Sequence, residues 1–483
     1  MHNKVLLILI IIASIIIGAS TLKGGHEWGD DFAWYILQAK SIVEGTTEEF
    51  IETSSFTNSQ STTHVGPLTY PWGYPLILTP FYAINGISPL TLKLPGLIFF
   101  AGFLICLYFL LKTRISATES LLLVSLHAFN PLLLNFLDQI LSDIPFLFFS
   151  TLTLLLMLNP GRRTTPQQVL IGVSIFFTTF IRATGILLLG SYLIIELFKV
   201  IATRKDKEAI KKTIRGSILV CLVFALLWIV NALLFPSGGE SYLSQYATLT
   251  FEIVRDFASA YFRVFSQFFG QGTSWMYIYY IAFIFFLVGV WAGRKEDTIF
   301  ILFFALWMIV HITYPYWQGA RYIFPLLPIF IYFTFQGINF VLSRFPVIEG
   351  PTRRKISYSF WVIIVFLFFL ESSGSAYNNL KNHRKINGPF DDQSSQVYRF
   401  LQKNTSEDSI VVFFKPRAMR LMSDRNSIMS MECDRVLLGD YLVLSKLVGE
   451  NQQIPPEKID ACQLPLKHVF ENRKFIIYLI QNQ

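Results

Sequence analysis

The sequence predicts an α-helical polytopic membrane protein of about eleven transmembrane helices, followed by a small C-terminal α/β domain outside the bilayer. Three observations predict it. Only 15% of the 483 residues are charged, 53% are hydrophobic and 47 are Phe, whereas soluble domains carry about a quarter charged residues. The apolar residues come in blocks long enough to cross a bilayer, which takes about 20 residues of helix. Residues 375–483 then return to a soluble composition. A soluble enzyme, a disordered chain and a disulfide-stapled miniprotein are excluded.

The blocks run near 4–20, 89–111, 119–136, 140–158, 168–181, 183–201, 214–236, 275–292, 297–314, 320–342 and 356–374. They are read as helices because lipid-facing backbone must satisfy its own hydrogen bonds. The first lacks a small-x-small cleavage pattern before Thr21 and reads as an uncleaved anchor. Orientation follows from basic residues in short loops. Alternate connections hold Lys112 and Arg114, Arg162 and Arg163, a cluster from Arg204 to Arg215, Arg294 and Lys295, and Arg344 to Lys355. These belong in the cytoplasm. The loop 21–88, by contrast, sets two Lys against seven Asp and Glu. The net charge of +8 is therefore a topology signal and not a nucleic-acid one. An odd number of spans puts the N-terminus inside and the tail outside, so 1–374 is the expected membrane domain and 375–483 the extracytoplasmic one.

The cytoplasmic loops are short, and the unusual sequence lies on the other face. Intramembrane and interfacial ionisable residues mark function by default. Here Asp30, Asp31, Asp138, Asp143, Arg182, His311 and Arg321 gather at one end of the spans. Asp30 and Asp31 open a segment with Phe32, Tyr35, Ile36 and Ala39 on one face, the pattern of an amphipathic helix lying on the membrane. The bland alternative is that the two Asp only cap that helix. Asp143 starts the fourth span, where it too reads as a cap. Arg182 interrupts two apolar runs, where the alternative is snorkelling. The stretch Tyr70-Pro71-Trp72-Gly73-Tyr74-Pro75-Leu76 is an aromatic belt or the approach to a cavity.

In this order the chain resembles the GT-C superfamily of polyprenyl-phosphate-sugar glycosyltransferases, in particular its protein O-mannosyltransferase and aminoarabinose-transferase branch. The resemblance rests on the Asp-Asp pair after the first span, Trp-Gly-Tyr-Pro-Leu, Ser-Asp-x-Pro at the fourth span, Arg-x-Thr-Gly, Arg-Tyr-x-x-Pro-x-x-Pro and a soluble tail. It covers the whole chain. It implies a GT-C-like fold and a glycosyltransferase that moves a sugar from a polyprenyl-phosphate donor to an acceptor hydroxyl on protein, lipid or glycan. The family's acidic motif falls on Asp30 and Asp31, with Asp-Asp where Asp-Glu is common, so which is the base stays open. Its second Asp falls on Asp143, with Asp138 the poorer match, and its Arg-Tyr pair on Arg321 and Tyr322. A leaving phosphate calls for fixed cations, for which Arg321 and Arg182 are candidates. A single displacement inverts the anomeric centre. Trp72 and Tyr74 are taken as substrate-binding.

A divalent metal is conceivable in the first loop, from His26, Glu27, His64, Asp30 and Asp31, but no zinc-type spacing is present. In the tail, Ile410–Phe414, Tyr441–Leu444 and Phe475–Ile480 read as strands, Gln393–Lys403 as an amphipathic helix and the segment from Lys415 as another. Lys415 and Arg417 read as solvated charge, with contact to anionic lipid the alternative. Cys433 and Cys462 are placed where disulfides persist, and Asn404-Thr405-Ser406 matches a glycosylation sequon. The competing readings are a surface-polysaccharide polymerase or ligase, and a transporter or scramblase.

Overall fold

The computed structural model describes residues 2–62, 65–158, 164–238, 246–345, 350–382, 386–447 and 452–481. Each apolar block becomes helix. The membrane part starts with α1 (His2–Thr21) and then makes a long excursion through α2 (Asp31–Glu44), α3 (Thr47–Gln60) and α4 (Gly73–Asn85). It continues with α5 (Pro89–Lys112), α6 (Ala117–Ala128), α7 (Pro131–Phe136), α8 (Asp143–Met157), α9 (Thr165–Ile181), α10 (Ile186–Ala202) and α11 (Lys207–Leu234). After α12 (Phe251–Val264) come α13 (Thr273–Gly293), α14 (Thr298–Thr313), α15 (Leu327–Ser343) and α16 (Gly350–Asn382).

Among the described residues seven helical stretches are long and apolar enough to cross a membrane, and α8, α9 and α14 are shorter apolar helices. The block 119–136 is not one span. Pro131 lacks an N–H and restricts the residue before it, so α6 stops at Ala128 and Asn130 caps a short α7, accepting from Leu133 N–H. The last span also runs on past residue 374 to Asn382. α13 and α15 pack backbone against backbone. A Cβ on Gly289 or Gly337 would run into the backbone carbonyl of Phe333 or Phe285, and glycine at both positions lets the two helices touch.

The tail folds as α17 (Asp392–Asn404), β1 (Ile410–Val412), α18 (Pro416–Ser423), β2 (Asn426–Ile428), α19 (Cys433–Val436), β3 (Tyr441–Ser445), α20 (Pro456–Ala461), β4 (Leu466–Glu471) and β5 (Phe475–Ile480). The sheet order is β2-β1-β3-β5-β4. β1 pairs parallel with β2 and β3, while β5 pairs antiparallel with β3 and β4. β5 is apolar throughout because it is flanked on both sides, as a central strand should be. The sequence reading had three of these strands. It passed over β2, which is three residues long, and β4, whose polar Lys467, His468 and Glu471 dilute the pattern. A disulfide joins Cys433 to Cys462.

The excursion and the tail pack into one cap. Thr57 of α3 donates to Ser427 O of β2 at 3.0 Å, and Thr62 N–H donates to Met429 O at 3.0 Å. This corrects the expectation for α2. It does not float on the bilayer, because Phe32 to Ala39 are buried on every face. One side meets α4 and the other meets α18. Arg417, expected in solvent, is wholly buried, with its guanidinium 4.2 Å above the Trp34 ring and Nη2 donating to Pro67 O at 2.7 Å. A planar, weakly hydrated cation is the group that an aromatic face buries most readily.

Candidate active site

Four charged groups from four distant segments meet where the cap rests on the bundle. Asp31 is the first residue of α2, and its carboxylate turns away from the helix. Oδ2 accepts from Arg321 Nη1 at 2.8 Å, and Oδ1 accepts from the Tyr70 hydroxyl at 2.6 Å. Asp143 is the first residue of α8, and its Oδ1 accepts from Arg182 Nη1 at 2.5 Å. Neither α2 nor α8 is capped by a side chain. The cap readings of Asp30 and Asp143 therefore fall, because both carboxylates are spent on other elements.

The arginines sit where regular helix is broken. Arg182 separates α9 from α10 in an extended conformation, and Gly185 lies so close to Thr178 that a Cβ would strike its backbone. At this break Arg182 Nη1 reaches across to Asp143 Oδ1 of α8. Arg321 lies on a tight 3-10 stretch, Gly319–Leu326, whose three-residue turn brings Nη2 to Gln318 Oε1 at 2.6 Å. Tyr322 joins the two. Its ring lies 4.7 Å from the Arg182 guanidinium and 5.6 Å from that of Arg321. Trp307 Nε1 donates to Tyr322 O at 2.6 Å, and His311 stacks on Trp307 at 4.4 Å, its ring 4.7 Å from that of Tyr322.

Asp30 faces the other way, toward the tail. Its Oδ1 accepts a long bond, 3.4 Å, from Ala418 N–H in the first turn of α18. Burial pushes its carboxyl above the usual carboxylate value, against the pull of Lys415 and Arg417. Asp31 goes the opposite way. Burial raises it, but the Arg321 charge and the Tyr70 hydroxyl outweigh that and hold it below the usual value. Two adjacent carboxylates are thus driven apart, one fixed as an anion and the other left the better proton acceptor.

The remaining expected residues sit behind this centre. Tyr74 is buried with its ring edge-on to Tyr35 at 4.8 Å, and Tyr35 OH shares a 3.0 Å hydrogen bond with Ser142 Oγ, next to Asp143. Trp72 is buried, stacks on Phe235 at 5.2 Å and donates from Nε1 to Pro236 O at 3.1 Å. Both shape the wall that carries Asp31 and Asp143. Asp138 is not part of the centre. It is buried between Lys23 at 3.1 Å and Lys93 at 2.7 Å, and Lys93 also donates to Lys23 O and Gly25 O. That knot staples the end of α1 to α5.

The loop's candidate metal ligands do not converge. His26 Nε2 accepts from Ile140 N–H at 3.2 Å, and burial lowers the imidazole to about 4 and keeps it neutral. His64 lies outside the described residues. Among the described residues no three His, Cys, Asp or Glu are grouped to hold a metal.

Gln38 has no place in the sequence reading, Tyr70 appears there only within the aromatic stretch 70–76, and Arg417 only as solvated charge. Gln38 holds the Tyr70 backbone by bonds of 3.0 and 3.1 Å in both directions, which aims the phenol at Asp31. A polar Gln inside the otherwise apolar face of α2 was the signal available in the sequence.

No family model matches the chain, and no curated protein matches it by sequence. Solved structures do match. ArnT from Cupriavidus metallidurans bound to undecaprenyl phosphate aligns with TM-score 0.62 over 98% of this chain and 97% of its own, at 10% identity. The apo form of that protein gives 0.60 over 99% and 98%, also at 10% identity. The archaeal oligosaccharyltransferase AglB from Archaeoglobus fulgidus, in complex with an inhibitory peptide and a dolichol-phosphate, gives 0.56 over 91% and 69%, at 10% identity. The chain shares the overall fold of these proteins. A cavity of about 890 Å³ opens at the opposite end of the bundle among Arg114, Glu196, Lys199, Lys212 and Lys295, away from the acidic centre.

Proposed function

We propose that this chain is an inverting glycosyltransferase that moves a sugar from a polyprenyl-phosphate donor to an acceptor hydroxyl, on the non-cytoplasmic face. The observation that carries the reading is the Asp31–Arg321 and Asp143–Arg182 pairs bridged by Tyr322. They form a preorganised cluster of two guanidiniums at the boundary between a helical bundle and a polar cap. The solved structures of the same fold with undecaprenyl phosphate or dolichol-phosphate support a lipid-linked donor.

The geometry supports the following roles. The acceptor oxygen attacks the anomeric carbon as the bond from that carbon to the phosphate oxygen breaks. Polyprenyl phosphate leaves with the electron pair, and the acceptor proton passes to Asp30. Arg321 and Arg182 are aimed by Asp31 and Asp143 so that their remaining N–H groups meet the charge growing on the phosphate, which is where fixed donors lower a barrier most. Asp30 is the better base because its raised pKa brings it closer to working pH. Asp31 holds Arg321 in place and, already committed to two donors, has little left for a third.

The test is transfer by the purified protein from a panel of labelled polyprenyl-phosphate sugars. Asp30→Asn is expected to lose about 10²–10⁴-fold in turnover while still binding undecaprenyl phosphate. Wild-type turnover in that variant removes Asp30 from the role, and a folded protein inert toward every donor removes the reaction.

A further inference from the structure

We propose that a pocket beside Trp28, between the first loop and the C-terminal sheet, is an acceptor subsite for a sugar ring that carries an anionic group. The proposal deepens the transferase reading and rests on it, since it names the chemistry of the acceptor. The cavity has a volume of about 420 Å³, within the range of roughly 300–1,000 Å³ usual for small-molecule sites. The Trp28 indole is half-buried, with its ring 5.1 Å from Phe414 and 6.2 Å from Phe475. This fixes it as a platform of the kind against which the C–H face of a sugar packs.

The rim is polar. Asn387, Ser445 and Gln452 line it with amide and hydroxyl groups, and Lys415 and Lys474 add two ammoniums. Their duties differ. Lys474 is engaged with Asp391 at 2.7 Å and Asn387 Oδ1 at 2.8 Å. That bond orients the Asn387 amide so that its N–H groups are left for a ligand. The Lys415 ammonium makes no ion pair or side-chain hydrogen bond among the described residues, while the Lys415 carbonyl accepts from Met419 N–H at 2.9 Å. Lys415 immediately precedes α18, whose Ala418 N–H reaches Asp30. The pocket therefore shares Lys415 with the segment that leads into the helix touching Asp30, and Trp28 stands two residues before Asp30 in the chain. An acyl chain would not choose these walls, since each amide and ammonium it covered would lose its water without gaining a partner.

The experiment uses the full-length protein in detergent and isothermal titration. The probes are a tetrasaccharide of alternating glucuronic acid and N-acetylglucosamine, its carboxyl-reduced counterpart, and undecaprenyl phosphate. The acidic sugar is expected to bind about tenfold tighter than the reduced one, as a charge-assisted contact should. Lys415→Gln is expected to erase that preference, and Trp28→Ala to weaken binding of both. Because Trp28 also packs on the sheet, Leu447→Trp, at an exposed rim position, is the second variant and should block both sugars without disturbing the core. Equal affinity for the two sugars, no saturation at millimolar concentration, or wild-type binding by both Trp28→Ala and Leu447→Trp overturns the proposal. Undecaprenyl phosphate binding should be unchanged in all three variants. Saccharide binding by a protein inert toward every donor would sink the transferase reading alone, and sugar transfer without saccharide binding would sink this subsite alone.

Discussion

Asp30 and Asp31 share a peptide bond, yet one looks up at the start of α18 and the other down at Arg321. Opposite shifts in pKa give opposite consequences. A carboxyl with a raised folded pKa stabilises the fold below its unfolded value, and that contribution is lost as pH rises through the folded pKa. Asp30 therefore strains the fold at neutral pH, and Asp30→Asn should raise the melting temperature at pH 7 while transfer is lost. Asp31 contributes above the unfolded value and loses that contribution as pH falls through its depressed pKa. Asp31→Asn should lower stability by about 1–3 kcal/mol, less than a fully buried pair because both side chains keep some exposure. Thermal unfolding of the two variants checks both signs. In the pH–rate profile a single acid limb is expected, above the ordinary Asp value of about 3.9, and it should vanish in Asp30→Asn. At the phosphate end, Arg321→Lys should recover little of the loss in Arg321→Ala. Lysine cannot serve Asp31 and a phosphate with one planar fork.

At the scale of elements, α2 is the piece on which the cap turns. It was legible as a helix because its apolar positions recur at helical spacing, and Asp-Asp at its start was legible as unusual. Its burial was not, because one face is covered by α18, almost four hundred residues later. No local pattern tells a bilayer surface from a protein surface of the same polarity. Arg417 shows the same limit, since a lone Arg reads as solvated until Trp34 is placed beneath it. Removing that contact by Arg417→Ala should loosen α18 from α2. Hydrogen exchange at 416–423 is expected to speed up at least tenfold, about 1.4 kcal/mol of lost protection, with the bundle unchanged. Equal protection in the variant would mean that the cap is held by the α3–β2 contacts alone. Of the tail's strands, apolar β5 and β3 announce themselves. β2 and β4 are short or diluted and exist because their neighbours offer unpaired backbone.

For the whole molecule, the reading of orientation from basic loops makes a direct prediction. A cysteine introduced at Lys295, in a background without Cys106 and Cys221, should react with a membrane-impermeant maleimide only after permeabilisation. One introduced at Asn472 in the same background should react in intact cells. The reverse pattern would invert the molecule and place the acidic centre in the cytoplasm. The membrane character and the rough limits of most apolar helices were determined by composition and spacing alone, because a bilayer imposes a fixed length and forbids unsatisfied backbone whatever the neighbours are. The count was not, since the block 119–136 divides at Pro131. The tertiary structure alone decided which charges share a site. It paired Asp31 with Arg321 and Asp143 with Arg182, sent Asp138 to a lysine knot and put Asp30 under the tail. Ion pairing depends on distances across the fold, and the chain order of charges carries no such distances.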